Sequence, residues 1–337
     1  MGHTVGEQSI QFDSSVYLLG AGSVVGKKEG DGPLGKYFDK IGEEDGLFGC
    51  GSWEEAESTL QKEALSIAME KAGISREELR LIYAGDLLAQ TIASSFGIMG
   101  FHRPVYGLYG ACSTMGEALS LASMAVAGGY GECVGVVTSS HFCSAEKEFR
   151  YPLGYGSQRP LSATWTVTGS GACILGTRKS HARITGITTG KIVDFGLKDS
   201  FNMGACMAPA AASTIEANLR DFTRKPEDYD RIITGDLGEI GQKILFDLLE
   251  EKGICIEDRH MDCGIEIFDK ETQDTHAGGS GCGCSAATFA SYILPKVEKG
   301  EWRRILFIPT GALLSKVSYN EGKSVPGIAQ AVVAEHC

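Results

Sequence analysis

Cys112 is the side chain in this sequence with the clearest potential for chemistry. An apolar segment, residues 104–109, leads through Gly110 to this cysteine, and a run of small residues, 118–127, follows it. This order predicts a thiol at a strand-to-helix turn, where the helix dipole and free N–H groups favour the thiolate and lower the pKa. The backbone N–H of the same residue can also stabilise an oxyanion. A buried structural cysteine is the alternative, and the local sequence leaves both interpretations open.

The segment 139–160 interleaves basic and aromatic side chains. The basic residues are His141, Lys147, Arg150 and Arg159, and the aromatic ones are Phe142, Phe149, Tyr151 and Tyr155. Guanidinium groups pair with carboxylates through two parallel hydrogen bonds, and aromatic rings offer apolar faces. The segment is therefore suited to hold a planar anion. A solvated loop with ordinary interface aromatics is the alternative for each single residue.

The elements that position these residues occur twice along the chain. Residues 77–87 (EELRLIYAGDL) parallel residues 227–237 (EDYDRIITGDL), and the offset from Asp86 to Asp236 is 150 residues. A weaker parallel relates Cys112 to Cys284. Strands and helices alternate in both regions, which predicts two similar βαβ halves, each with a buried and largely parallel sheet. We place the N-terminal half at residues 1–185 and the C-terminal half at 186–337. Generic resemblance between βαβ units is the alternative to duplication.

Composition narrows the class of protein. The 337 residues include 43% hydrophobic and 22% charged residues, and the net charge is -12. Nucleic-acid binding is disfavoured because it needs a basic face. No apolar run reaches the roughly 18 residues of a membrane span, and the N-terminus does not resemble a secretory signal. Eleven scattered cysteines are typical of a reducing, intracellular compartment. We therefore expect any membrane association to be peripheral, through a protein partner.

Three segments resemble the thiolase and β-ketoacyl synthase superfamily. Residues 109–113 (YGACS) resemble its nucleophile segment, residues 167–173 (VTGSGAC) its glycine-rich strand turn, and residues 309–312 (PTGA) the glycine loop that completes its oxyanion hole. The resemblance implies an α/β fold of duplicated α-β-α-β-α layers and a homodimer formed through the first half. It also implies that Ser170 and Gly311 border the substrate pocket, and that the segment 139–160 lies over it.

Two departures from the superfamily concern its catalytic histidines. Asp236 stands where β-ketoacyl synthases carry one histidine, and Ser280 stands where thiolases carry another. A carboxyl group donates a proton near pH 7 only if its pKa is strongly raised. Without a base and an oxyanion donor, acyl transfer by Cys112 would lose orders of magnitude. His276 is nearby in sequence and is the candidate substitute. The expected function is therefore non-catalytic, with an active acyl transferase or β-ketoacyl synthase and a purely structural subunit as alternatives.

The whole-chain pattern is similar to one family, the stage V sporulation protein AD family of spore-forming bacteria. The opening GHTVGEQSIQF and residues 141–156 carry much of this similarity. The resemblance implies binding of dipicolinic acid (pyridine-2,6-dicarboxylic acid), alone or as its calcium chelate, for uptake into the developing spore and release at germination. It also implies membrane-protein partners from the same operon and a peripheral location on the spore inner membrane.

These considerations define an expected ligand site. Its residues are Cys112, His141, Arg150, Arg159, Ser170, Asp236, Ser280 and Gly311. No cofactor is expected, and calcium would enter only as part of the ligand. The Cys282-Gly283-Cys284 segment lacks a second ligand pair for zinc, and the acidic stretch 262–274 lacks the EF-hand pattern.

Overall fold

The computed structural model describes residues 1–44, 46–149 and 159–337 of a mixed α/β protein. The strands are β1 Gly2–Val5, β2 Ser9–Val25, β3 Lys40–Ile41, β4 Leu81–Gly85, β5 Val105–Leu108, β6 Cys133–Ser140, β7 Trp165–Thr166, β8 Gly169–Gly176, β9 Ala182–Thr188, β10 Arg231–Thr234, β11 His260–Asp262, β12 Gly279–Ser280, β13 Arg304–Ile308, β14 Thr310–Ala312, β15 Gly327–Ala329 and β16 Ala331–His336. The helices are α1 Lys27–Gly30, α2 Trp53–Ala72, α3 Ile92–Met99, α4 Thr114–Ala127, α5 Phe142–Phe149, α6 Met203–Asp221, α7 Gly238–Glu250, α8 Cys263–Glu266, α9 Lys270–Gln273, α10 Cys282–Thr288, α11 Leu294–Glu298 and α12 Lys316–Asn320. The predicted site residue Arg150 lies outside the described residues.

The two halves have the same sheet topology. Across the first sheet the order is β5-β4-β6-β8-β2, and across the second it is β11-β10-β13-β16-β9. In each sheet the first three strands in this order are parallel, while β8 or β16 runs antiparallel to both of its neighbours. This repetition confirms the predicted duplication. Strands β2 and β9 pair antiparallel and join the two sheets. The limits 1–185 and 186–337 remain a prediction, and β9 spans their junction.

The layers follow the predicted α-β-α-β-α arrangement. Helices α4, α10 and α11 lie between the sheets in the largest apolar cluster, which includes Met115 of α4 and also contains Phe289 and Phe307. Helix α2 covers the outer face of the first sheet, and α6 covers that of the second. None of the helices in the described part of the chain is long and apolar enough to span a membrane.

Helix α2 forms where its local sequence predicts. The Ser52 side chain accepts a hydrogen bond from the Glu55 N–H at 3.2 Å, and Gly73 ends the helix with a φ of 63°. These contacts satisfy backbone groups that the helix ends leave unpaired. The buried positions Leu60 and Ala64 repeat at helical spacing and face the first sheet.

Glycine at two positions lets helices lie directly on the sheets. A Cβ atom on Gly171 of β8 would lie 2.1 Å from the carbonyl oxygen of Ala286 in α10. A Cβ atom on Gly22 of β2 would lie 2.3 Å from the carbonyl oxygen of Ala64 in α2. The first of these approaches holds α10, and with it the segment 279–284, close to the turn that carries Cys112.

Candidate functional site

Cys112 lies in a single helical turn, Ala111–Ser113, between β5 and α4. Ala111 has a φ of 53°, in the left-handed region that non-glycine residues seldom occupy. The Ser113 hydroxyl donates to the Gly110 carbonyl oxygen at 2.7 Å and holds the turn closed. The Cys112 side chain is only 6% exposed. The predicted strand-to-helix position of this cysteine is therefore confirmed, and the turn directs it inward.

A cavity of about 250 Å³ opens at Cys112. Its lining is Leu87, Tyr109, Ala111, Cys112, Ala145, Phe149, Thr166, Met203, Ser280, Gly281, Ala312, Leu313, Leu314 and Ser315. Most of these side chains are apolar, and none of the described lining residues carries a charge at neutral pH. The volume lies slightly below the roughly 300–1,000 Å³ of ordinary ligand pockets. The cavity therefore suits a small, largely apolar ligand with a few polar groups.

Asp236 is buried directly behind this lining. The Thr310 hydroxyl donates to its Oδ1 at 2.8 Å, and the Gly281 N–H donates to its Oδ2 at 2.9 Å. The Cys112 thiol also donates to the carboxyl group. Burial raises the pKa of Asp236 to about 7, although these three hydrogen bonds favour the carboxylate. Near neutral pH this carboxyl group is therefore present in both its charged and its protonated form.

The loop that carries Asp236 is fixed by a second buried carboxylate, Asp262. Asp262 Oδ2 accepts the Leu237 N–H at 2.9 Å, and Asp262 Oδ1 accepts the Gly238 N–H at 3.1 Å. The Thr234 hydroxyl at the end of β10 donates to Asp262 Oδ2 at 2.6 Å. Together these bonds place Asp236 at the carboxyl end of β10. The charge of Asp262 also contributes to the raised pKa of Asp236.

The thiol of Cys112 is held in its protonated form. Burial raises its pKa well above the ordinary value, and the charge of Asp236 and its hydrogen bond to that carboxylate raise it further. The Gly281 N–H lowers the pKa but does not offset these effects. The expectation that the helix N-terminus lowers the pKa of this thiol is therefore wrong. A partial charge at a helix end is outweighed when the thiol is desolvated beside a carboxyl group.

Ser280 lies on the cavity wall, as the superfamily resemblance predicted. It ends β12, which pairs with β7 so that Ser280 lies beside Thr166, another lining residue. No histidine is among the described lining residues. His276 Nδ1 donates a hydrogen bond to the Pro160 carbonyl oxygen at 2.9 Å, and His276 Nε2 lies 3.1 Å from the Asp274 carboxylate. It therefore does not replace the missing imidazole at the cavity.

Gly311 and Ser170 belong to the framework around the cavity, not to its lining. A Cβ atom on Gly311 would lie 2.8 Å from the Gly110 carbonyl oxygen, so Gly311 packs against the turn before Cys112. Ser170 is fully buried in β8, and its hydroxyl donates to the Thr138 carbonyl oxygen at 3.0 Å. The prediction that these two residues border the pocket is corrected, because neighbouring backbone covers both of them.

The described basic residues of segment 139–160 also point away from the cavity. His141 Nε2 bonds to the Gly46 carbonyl oxygen at 2.8 Å, and burial lowers the pKa of the ring. Arg159 donates to the Asp274 carboxylate at 2.7 Å and lies over the Trp165 ring, 4.8 Å from its centroid. Neither side chain lines the cavity, which corrects their predicted placement.

A buried carboxyl group fixes α5, the helix that supplies Ala145 and Phe149 to the wall. Glu57 accepts hydrogen bonds from Ser144 at 2.6 Å and from Ser139 at 3.0 Å. Burial and the nearby carboxyl group of Asp86 raise the pKa of Glu57 to about 8. Sequence reasoning missed this anchor because residues 57, 86 and 144 come from three separate segments of the chain. Their common contact is visible only in the fold.

For the other lining residues, the sequence indicated a place at the cavity only weakly or not at all. Leu313 and Leu314 directly follow the predicted glycine loop 309–312, so their proximity to the site was accessible from the resemblance. Leu87 follows the repeated Gly-Asp pair of the first half. Met203 begins α6, and no pattern around it indicated a place at the cavity.

The neighbouring cysteines bond to backbone carbonyl oxygens. Cys282 Sγ donates to Ser139 O at 2.8 Å, and Cys284 Sγ donates to Gly235 O at 3.6 Å. Within residues 1–44, 46–149 and 159–337, no group of three or more His, Cys, Asp or Glu side chains is placed to hold a metal ion.

Comparison with known sequences identifies relatives along nearly the whole chain. The family model for stage V sporulation protein AD matches residues 6–335. The stage V sporulation protein AD of Bacillus subtilis (strain 168) is 41% identical over 332 residues, which cover 98% of this chain and 97% of that protein.

Comparison with solved structures finds the same fold at low sequence identity. The 3-oxoacyl-[acyl-carrier-protein] synthase III from Aquifex aeolicus VF5 matches with a TM-score of 0.58 and 15% identity, over 95% of this chain and 99% of that one. OleA from Xanthomonas campestris matches with a TM-score of 0.64 and 13% identity, over 96% and 99% of the two chains. These matches confirm the predicted thiolase-like fold.

Proposed function

Because the chain belongs to the stage V sporulation protein AD family, we propose that it binds dipicolinic acid, or its calcium chelate, without catalysing a reaction on it. The binding serves uptake of the ligand into the developing spore and its release at germination. The observation that carries the proposal is the cavity at Cys112, which keeps the position of a superfamily active site but has no imidazole among its described lining residues. Calcium enters, in this proposal, only as part of the ligand.

The shape and chemistry of the cavity support an aromatic dicarboxylate. Leu87, Phe149 and Leu314 offer apolar surface to the faces of a ring. Hydroxyl groups of Ser280 and Ser315 lie on the same lining and can donate hydrogen bonds to carboxylate oxygens. A ligand of this kind needs both features, because its ring is apolar while its two carboxylates lose solvent on binding.

The protonation states in the site oppose the alternative of acyl transfer. Within the described part of the chain, the base that acts on Cys112 is the Asp236 carboxylate, with a pKa of about 7, while the pKa of the thiol is raised well above its ordinary value. Proton transfer from Cys112 to Asp236 is therefore unfavourable. The resulting thiolate would also be buried without a described cation beside it, whereas nucleophilic cysteines rely on such partners.

Arg150 is the proposed source of positive charge for the ligand carboxylates. It follows the lining residue Phe149 directly in the sequence, whereas Arg159 is already paired with Asp274. Isothermal titration calorimetry with dipicolinate compares the parent with Arg150→Ala and with Arg159→Ala as the matched control. A lost charge-assisted hydrogen bond of about 1.5–3 kcal/mol predicts affinity about ten- to a hundredfold weaker for Arg150→Ala. The affinity of Arg159→Ala for dipicolinate is expected to lie within about a factor of two of that of the parent.

The location of the ligand is tested by filling the cavity. Ala145→Leu places extra methyl groups on the wall, and we expect it to abolish dipicolinate binding while the thermal unfolding curve stays cooperative. Titrations run with dipicolinate alone and with excess calcium. No binding by the parent under either condition would refute the proposed function. Full binding by Ala145→Leu would place the ligand elsewhere.

We also propose a homodimer formed through the first half. Strand β5 is at the edge of its sheet, and its Val105 and Tyr106 are 44% and 61% exposed. Phe96 and Met99 of the neighbouring helix α3 are 61% and 64% exposed. An edge strand with exposed apolar side chains favours pairing with a second copy. Sedimentation velocity should give a dimer for the parent and a monomer for Val105→Arg, and a monomeric parent would contradict the proposal.

The proposed partners are membrane proteins encoded in the same sporulation operon, which hold the chain on the spore inner membrane. All eleven cysteines are free, which accords with a reducing compartment. Fractionation of spores should find the protein with the inner membrane only when these partners are present. Recovery in the membrane fraction without them would contradict recruitment by partners.

A further inference from the structure

We infer that Asp236 selects the charge of the species that the cavity accepts. A dianionic ligand enters together with one proton, which is taken up by Asp236, whereas an electrically neutral calcium chelate enters without it. This inference rests on the proposed function and concerns how the same cavity handles charge.

The geometry places the Asp236 carboxyl group directly behind the wall of the ligand cavity. The side chain is 1% exposed, so water does not screen it. Its Oδ2 accepts the N–H of Gly281, and the thiol of Cys112 donates to it. Both of these residues line the cavity. A ligand carboxylate in the cavity is therefore separated from Asp236 by no more than one layer of protein atoms.

Among the described residues, the groups packed around Asp236 offer no compensating positive charge. The titratable neighbours are Cys112 from the turn before α4, Asp262 from β11, and Cys263, Cys282 and Cys284 from α8 and α10. Each of these is neutral or negative in every protonation state. Burial raises the pKa of all four of the thiols, so they stay neutral near pH 7. Burial also raises the pKa of Asp262, and in its charged form Asp262 raises the pKa of Asp236.

A second negative group next to Asp236 therefore raises its proton affinity. Before any ligand is added the pKa of Asp236 is already about 7, so a small further rise protonates it fully at physiological pH. Ligand carboxyl groups ordinarily ionise near pH 4 and stay charged across this range. Proton uptake on binding is thus the response expected of Asp236 and not of the ligand. Because the calcium chelate carries no net charge, its binding leaves the protonation equilibrium of Asp236 nearly unchanged.

The experiment is calorimetry with free dipicolinate and with calcium dipicolinate at pH 6, 7 and 8, in two buffers of different ionisation enthalpy. If the pKa of Asp236 rises from about 7 to between 8 and 9 in the complex, the affinity for free dipicolinate falls about five- to tenfold from pH 6 to pH 8. The difference in observed binding enthalpy between the two buffers should correspond to uptake of about half a proton at pH 7. The affinity for calcium dipicolinate should change less than about twofold over the same range, and its binding should be accompanied by almost no proton uptake.

Variants connect this response to Asp236. Asp236→Asn keeps the size of the side chain and should bind free dipicolinate with an affinity that no longer depends on pH. Thr310→Val removes a hydrogen bond that favours the carboxylate, so it should move the midpoint of the pH response upwards. Arg150→Ala should weaken binding by the same factor at all three pH values. The exposed Asp258 provides the control Asp258→Asn, which should behave like the parent.

The outcomes separate this inference from the proposed function. Binding of dipicolinate without pH dependence or proton uptake refutes the inference and leaves the proposed function intact. If the affinity of Asp236→Asn still depends on pH, another group takes up the proton and the inference is refuted. The same follows if the midpoint of the pH response is unchanged in Thr310→Val. Absence of binding at every pH refutes the proposed function itself, and with it the inference.

Discussion

Asp236 should make the stability of the unliganded protein depend on pH, independently of any ligand. Its pKa is about 7 in the folded chain against an ordinary value of 3.8, so the folded state binds this proton more tightly than the unfolded state does. The contribution to stability is therefore full below about pH 4 and is lost as the pH rises through 7. Between pH 6 and pH 8 the loss integrates to about 1.4 kcal/mol, because the folded state holds on average about half a proton more than the unfolded state over these two pH units.

Asp236→Asn removes this titration while keeping the shape of the side chain. Its amide can accept from Thr310 or from Gly281 but not from both, so stability falls by about 1–3 kcal/mol at every pH. The informative quantity is the slope of the free energy of unfolding against pH. Glu29 and Glu57, with raised pKa values of about 7 and about 8, make the stability of both proteins decline over the same interval. The parent should decline more than the variant, by about 1.4 kcal/mol.

The assay is unfolding by urea at pH 6, 7 and 8, with the free energy of unfolding extrapolated to water at each pH. The exposed Asp258 again provides a matched control, since Asp258→Asn should follow the slope of the parent. Equal slopes for the parent and Asp236→Asn would refute the reasoning. That result would mean that Asp236 is ionised in the folded protein well below neutral pH.

Further predictions concern the reactivity of the thiols and the packing of the sheets. At pH 7, iodoacetamide should label the exposed Cys255 faster than the buried Cys112, and mass spectrometry that finds the reverse order would contradict a protonated Cys112. Purified protein should show no thiolysis or condensation of acyl-CoA substrates, and turnover that disappears in Cys112→Ala would establish the acyl-transfer alternative. Gly171→Ala should lower the free energy of unfolding by several kcal/mol, because its Cβ would meet the Ala286 backbone. Gly100→Ala is the control, since the space around its Cβ is open. Urea unfolding should find this control within about 0.5 kcal/mol of the parent.

Local and repeated features could be read from the sequence because they depend on neighbouring residues. Ser52 and Gly73 mark the ends of α2 through hydrogen bonds made within a few residues. The turn at Cys112 follows from the change between an apolar strand and a run of small residues. The duplicated halves follow from the parallel between residues 77–87 and 227–237, since similar sequences form similar βαβ units. These predictions needed no knowledge of contacts between distant segments.

Tertiary structure alone decided the chemistry of the site. Burial raises the pKa of both Asp236 and Cys112, and Asp236 raises that of Cys112 further, although 124 positions separate them in the numbering. His141 turns to Gly46 and Arg159 to Asp274, so neither reaches the cavity that their positions in the sequence had indicated. Desolvation and hydrogen bonding depend on which distant segments meet, and a pattern of residue types does not specify that. The sequence therefore determined which groups were available, while the fold determined which of them carry charge and which face the cavity.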